Sequence, residues 1–222
     1  MTDLSRIAYI VPNLPRFEVP NLNAFWQWWN EVNIPIKRTA MDSRGYGGGY
    51  NGEFWDGVTI WQKEEYQKNI VWKVNHHRND AMFGGLIDAV LPSLPWFDVQ
   101  GLTLWSNKIK VGSHRDGLPK DPFPSAPRIM LVDECQDRTF YLEHQDPFGM
   151  FRPDLRQGPN LFYFNNENFM HGTLPPIGGR KVLIRIDGPL IDKDGFVKHL
   201  REQINNGAMH DMISIPEEKG ES

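Results

Sequence analysis

The chain is nearly without cysteine: of its 222 residues only Cys135 carries a thiol. One thiol allows no internal disulfide, which removes the small disulfide-stapled secreted class and fits a reducing compartment. A basic excess is missing too, with 24 Lys and Arg against 28 Asp and Glu, a formal charge of −4, and no basic tract. Bulk attraction to nucleic acid is therefore not expected. No apolar run is long enough to span a bilayer and no charged-then-apolar leader is present, so the expectation is a soluble, cytoplasmic protein with no membrane partner. The glycine-rich stretch Gly45 to Gly52 lacks the Lys-Ser/Thr of a P-loop and the spaced glycines of a dinucleotide fingerprint. It reads as a connector, or as a lid in which Tyr46, Tyr50, Phe54 and Trp55 close over a substrate.

What is present is apolar and aromatic: 40% hydrophobic and 12% aromatic residues, ample for a packed core in one domain. An opening strand is expected at Ile7–Val11, then a proline-rich loop to Pro20. A tryptophan-rich helix capped by Asn21 or Asn23 follows. In that helix Leu22, Phe25, Trp29 and Val32 recur at helical spacing and should pack on a sheet, leaving Trp26 and Trp28 over. Strands are expected at Val58–Trp61 and Ile70–Val74, and a helix from Ala81 to Leu91. From Leu102 the pattern turns to strands at Leu102–Trp105, Ile129–Val132, Thr139–Leu142, Leu161–Phe164 and Lys181–Ile186. Between Gly117 and Pro127 four prolines mark an irregular loop, and a last helix runs from Phe196 to Asn205 after Asp194.

Chemistry is concentrated in Gly112-Ser113-His114-Arg115-Asp116-Gly117 and, 55 residues after the aspartate, Met170-His171-Gly172-Thr173. In an extended strand residues i and i+2 share a side, so His114 and Asp116 can meet one ion while Arg115 points away. His171 sits just past the turn-prone Asn165–Asn168, where a second strand edge would present it to the same ion. Two imidazoles and one carboxylate suit non-haem Fe(II), with positions left for an organic co-substrate and O2. Arg180 heads a strand on which Lys181, Leu183 and Arg185 lie on the opposite face. Only one of the two arginines should therefore face inward, and the spacing favours Arg180.

An H-x-D motif, a second histidine about half a hundred residues on and a basic residue nine further resembles the Fe(II)/2-oxoglutarate-dependent oxygenases. The compact prolyl hydroxylases and the aspartyl/asparaginyl hydroxylases are closest in spacing. The resemblance covers Leu102 to Asp187. It implies a mainly β fold with flanking helices, a double-stranded β-helix or jelly roll of the cupin-like kind. That core would occupy 101–190, between N-terminal helices and supporting strands over 1–100 and a C-terminal helix and tail over 191–222. It implies that His114, Asp116 and His171 bind Fe(II) and are the catalytic set. Arg180 would grip the distal carboxylate of 2-oxoglutarate, and O2 would be the second co-substrate. Arg185, fourteen past His171, is the runner-up anchor. Trp105 stands where many relatives carry a co-substrate-binding tyrosine. Asp116 occupies the position that is a small residue in halogenating relatives, so hydroxylation is the expected outcome.

Each part alone has a plainer reading: H-x-D as a capped surface turn, His171 as an edge histidine, Arg180 as a strand-end charge. The joint spacing is what favours a metal site. His76 and His77 are adjacent, so on a strand they face opposite ways and read as a loop pair. His144 alternates along a strand and could line the site; His199 and His210 read as incidental. The competing functions are a non-catalytic jelly-roll binding module and a cupin-type metalloenzyme that does not use 2-oxoglutarate. The expected partner is an amino acid, peptidyl side chain or small metabolite.

Overall fold

Alternation of β-branched and aromatic residues with polar ones decides this architecture, because each strand must present one face to each of two different neighbours. The computed structural model describes residues 2–14, 17, 21–32, 34–35, 55–63, 82–107, 110–117, 123–136, 139–143, 150–151 and 161–212. The glycine-rich stretch 45–52, the strand expected at 70–74, His76, His77 and His144 lie outside them.

In chain order the elements are β1 (Ile7–Val11), α1 (Leu22–Val32), β2 (Ile34–Pro35), β3 (Trp55–Gln62), α2 (Gly84–Val90), β4 (Gly101–Asn107), β5 (Val111–His114), β6 (Ala126–Asp133), β7 (Phe140–Glu143), β8 (Met150–Phe151), β9 (Leu161–Phe164), β10 (Met170–Thr173), β11 (Lys181–Asp187), α3 (Lys193–Asn205) and β12 (Met209–Met212). The protein is mainly β. A large antiparallel sheet has the order β12-β1-β9-β6-β11-β4-β3-β2, and a small one β5-β10-β7-β8. From β4 to β11 successive strands alternate between the two sheets, apart from the β7–β8 pair.

The large sheet separates two interiors. On one side Ile10, Ile129, Leu104, Val182, Ile184, Ile186 and Tyr163 pack against the helices through Phe25, Trp29, Ile87, Phe196 and Leu200. Burying side chains of this size stabilises by roughly 1.5–3 kcal/mol each. On the other side Ala8, Tyr9, Val11, Ala126, Met130, Phe162 and Phe164 meet Phe140 and Leu142 of the small sheet. Strand parity makes this possible: on β11, residues 182, 184 and 186 face the helices while 181, 183 and 185 face the small sheet.

Local signals fit these elements. The Asn21 side chain accepts from Ala24 N at 3.0 Å and caps α1. Within α1, Phe25 and Trp29 are buried as their spacing requires, whereas Leu22 is 41% exposed: it sits in the first turn, ahead of the point where the helix reaches the sheet. Trp26 is buried as well, and Trp28 is half-buried against the same cluster. α3 starts earlier than the sequence suggests, because Asp192 rather than Asp194 caps it by accepting from Gly195 N at 2.9 Å. Met209–Met212, which had no strand signal, pairs with β1.

Candidate metal centre

The β5–β10 ladder of the small sheet builds the site. β5 and β10 are antiparallel with His114 opposite His171, so two imidazoles from distant parts of the chain project side by side, ring centroids 4.4 Å apart. Asp116 follows β5 by two residues and closes the triangle. Its Oδ1 lies 3.7 Å from His114 Nε2 and 3.7 Å from His171 Nε2. The three ligand atoms all fall within 4.8 Å of one another. A distance of 3.7 Å is too long for a hydrogen bond. Atoms bound to a common ion at about 2.1 Å stand roughly 3–3.6 Å apart, so a small contraction would bring all three to one metal.

The surrounding bonds leave the ligating atoms uncommitted. His114 Nδ1 lies 2.9 Å from Gly112 O; as the donor there it places the proton on Nδ1 and the lone pair on Nε2. Asn166, in the turn between β9 and β10, donates from Nδ2 to Asp116 Oδ2 at 2.9 Å, and its carbonyl accepts from Asp116 N at 3.1 Å. One carboxylate oxygen is thus held by the protein, and the other is turned towards both imidazoles. The neighbouring Asn165 is fully buried and donates to Ile7 O at 3.2 Å, which fastens this turn to β1.

The electrostatics suit a cation. Burial pushes the His171 imidazole down to about 4, against the pull of Asp116, so it is neutral and able to ligate at pH 7. Burial alone would raise the Asp116 carboxyl; His171, the Asn166 amide, Arg128 and His114 outweigh it and hold it below its usual value. His171 is buried against Phe164, ring centroids 4.9 Å apart, while the Asp116 side chain is 38% exposed. The centre is therefore walled on one side and open on the other.

The expected inward arginine is the other one. Arg180 stands on the helix side, 55% exposed, with Nε 2.9 Å from Glu134 Oε2 and its guanidinium 3.9 Å from the Trp26 ring centroid. Trp26 Nε1 donates to the same carboxylate at 3.2 Å. The preceding turn fixes this arrangement: Gly178 has φ +65°, and a Cβ on Gly179 would collide with the Glu134 carbonyl. Arg185 faces the small sheet instead, its Nε 2.7 Å from Asp187 Oδ1 and its guanidinium 5.0 Å from the ring of buried Trp105.

Sequence reasoning passed over Lys181. Its side chain is buried on the same interior face, and Nζ donates to Thr139 Oγ1 at 2.7 Å, Thr173 Oγ1 at 2.6 Å and Leu174 O at 3.4 Å. Among the described residues no carboxylate lies within bonding distance of this ammonium, and burial pushes it down to about 8. Thr173 is two residues from His171, on the same side of β10, so Lys181 reaches that strand beside the candidate ligand His171. A lysine ten past the second histidine was visible in the sequence, hidden beside the more conspicuous Arg180. His199 packs on Trp96 with centroids 4.1 Å apart and His210 lies on β12; neither belongs to the His114–Asp116–His171 cluster. Cys135 is buried, and burial pushes its thiol up to about 11, which leaves it protonated at neutral pH.

No protein-family model matches the chain, and no curated protein matches it. Among the described residues no helix is long and apolar enough to cross a membrane.

Proposed function

We propose that this chain is an Fe(II)- and 2-oxoglutarate-dependent dioxygenase that hydroxylates a C–H bond of an amino acid, a peptidyl side chain or a small metabolite. The observation that carries this reading is the convergence of His114 Nε2, Asp116 Oδ1 and His171 Nε2, with His114 Nδ1 and Asp116 Oδ2 engaged away from the common point. Two histidines and one carboxylate with an open side fit a ferrous ion that must also accept an organic chelator and O2. The strand order supports a jelly roll, the double-stranded β-helix, in which strands alternate between sheets and the metal lies between them at one end. When bound, the iron supplies the redox centre at which O2 is divided, one oxygen atom entering succinate as CO2 leaves and the other entering the substrate as hydroxyl.

The chain's own contribution is binding and positioning. Lys181 is the residue best suited to the distal carboxylate of 2-oxoglutarate: a buried ammonium that bonds no carboxylate among the described residues, flanked by two hydroxyls that can also donate to a carboxylate. It is favoured over Arg180, which is exposed on the helix side and holds Glu134, and over Arg185, whose charge Asp187 already partly offsets. His171 and Asp116 orient the chelated end, and the aromatic wall of Phe164 and Phe169 excludes water from behind it.

Anaerobic titration with Fe(II) and then 2-oxoglutarate tests the reading through the visible charge-transfer band of the bound pair, followed by succinate release in air. A protein that retains only zinc, shows no band and makes no succinate overturns it. A non-catalytic binding module would keep its ligand after metal removal, and a cupin-type metalloenzyme would bind metal but ignore 2-oxoglutarate.

A further inference from the structure

The interior face of the large sheet carries a second cationic station. Arg185 on β11 is directly opposite Arg128 on β6 in the ladder register, and Thr103 flanks Arg185 on β4. Thr103 in turn meets Thr59 of β3, their Oγ1 atoms 3.1 Å apart, so a polar row crosses four neighbouring strands. Like charges directly opposite in a sheet repel, and a half-buried pair of guanidinium groups persists only with compensation. The compensation present is small. Asp187 takes Arg185 Nε at 2.7 Å, and Arg128 donates from Nη1 to Pro127 O at 2.8 Å and Ile186 O at 3.5 Å while stacking over Phe164 at 5.5 Å. Asp116, the next nearest carboxylate felt by Arg128, belongs to the metal centre.

Each guanidinium offers five N–H donors in a planar fork. Among the described residues, both terminal nitrogens of Arg185 and the Nη2 and Nε of Arg128 make no bond. Solvent reaches Arg185, whose side chain is 31% exposed, and Arg128 beside it is half-buried. Lys181 and Arg185 share the interior face of one strand, about 13 Å apart along it. A co-substrate held by the metal at one end and by Lys181 at the other leaves Arg185 to a different anion. Two stations on one face, with the candidate metal ligands on the opposing sheet, suit two separate anions.

We propose that Arg128 and Arg185 form the recognition site for an oxyanion, a carboxylate or a phosphate, on the primary substrate, and so select acidic substrates for the metal centre. This rests on the oxygenase reading with Lys181 as the co-substrate anchor. Two planar forks on neighbouring strands can take the oxygens of one anionic group, and Trp105 beneath Arg185 holds that fork in orientation. Neither arginine touches the reacting bond; the pair fixes where the rest of the substrate lies relative to iron.

The test uses the full chain labelled with nitrogen-15 at arginine Nε, loaded with Zn(II) and 2-oxoglutarate so that no turnover occurs. Sodium acetate, inorganic phosphate and neutral acetamide are then titrated. The expected result is that acetate or phosphate, and not acetamide, moves the Nε–H signal that R185Q deletes together with a second arginine signal. Whichever anion moves them at lower concentration names the group. In R185Q the remaining signal should respond at least about tenfold more weakly, the loss of a charged hydrogen bond. Affinity for 2-oxoglutarate should change by less than about twofold, as for a distant site. Anions that leave both signals unmoved overturn the inference. So does an R185Q protein whose 2-oxoglutarate affinity falls as far as that of Lys181→Met, which would assign Arg185 to the co-substrate. Failure to take up metal and 2-oxoglutarate at the loading step overturns the oxygenase reading and this inference with it, and is seen before any probe anion is added.

Discussion

The two faces of the large sheet are made by the same strands and could hardly differ more. Towards the helices, Val182, Ile184 and Ile186 of β11 enter a closed aromatic layer with Phe25, Phe83, Phe196 and Tyr163. Towards the small sheet, the alternate residues Lys181 and Arg185 of the same strand carry charge into the interior, and only Leu183 between them is apolar. A sheet needs just one hydrocarbon face to be stable. The first interior supplies that in full, and the second, apolar around Phe140, Phe162 and Phe164, has room beside that cluster for costly buried cations and a carboxylate–imidazole triangle. Stability and chemistry are thus divided by residue parity along single strands.

The largest effect that sharpens this division is Asp116→Ala. It should abolish turnover and metal retention, read by succinate release and metal content, while the thermal midpoint stays near that of the wild type. Next is its mirror on the other face: Phe196→Ala should cost about 3–5 kcal/mol of stability by urea unfolding, with metal affinity in the surviving folded protein unchanged. If Phe196→Ala destroyed metal binding at temperatures where the chain is still folded, the two faces would not be independent.

Lys181→Met should weaken 2-oxoglutarate by about 2–5 kcal/mol, the range for truncating one partner of a buried charge pair, measured by the anaerobic titration. The same residue gives a pH signature. Its ammonium sits at about 8 in the folded protein against 10.5 ordinarily. Between those values the unfolded chain holds the extra proton, so the stability that Lys181 costs at neutral pH is regained as pH rises through this window. Over the same rise the cation that attracts a carboxylate disappears, so 2-oxoglutarate affinity should drop as pH passes 8, and Lys181→Met should lack that drop. The smallest effect belongs to Arg180→Ala: exposed and on the helix side, its pair with Glu134 should be worth no more than about 1 kcal/mol, with 2-oxoglutarate affinity unaffected. A large loss of co-substrate affinity in Arg180→Ala would break the comparison.

Much of this arrangement was legible in the chain. The i, i+2 placing of His114 and Asp116, the strands at Leu102–Trp105, Ile129–Val132 and Leu161–Phe164, and the arrival of His171 just past the asparagine turn all follow from periodicity and turn chemistry. What periodicity does not provide is an absolute face. Alternation says that Arg180 and Arg185 point opposite ways but not which is inside, and a one-residue shift exchanges every side chain. The choice is made by the tight Gly178–Gly179 turn and by Trp26 and Glu134, which receive Arg180 from sequence positions far away. Arg128 was illegible for the same reason: its meaning comes from the residue opposite it on another strand. The strand at Met209–Met212 has little intrinsic β signal and exists because β1 offers it an edge.

The position of β1 has a consequence for how the molecule is made. All five of its side chains are buried, and its two neighbours, β9 and β12, are encoded in the last third of the sequence. A ribosome delivers this sticky ribbon well before its seat, so the nascent chain must carry Ile7–Val11 without its native neighbours until Leu161–Phe164 has been made. Long-range pairing of this kind slows folding and exposes strand edges to other chains. Yield in the cell should therefore depend on holding that one short segment out of trouble, more than on the strength of the finished core.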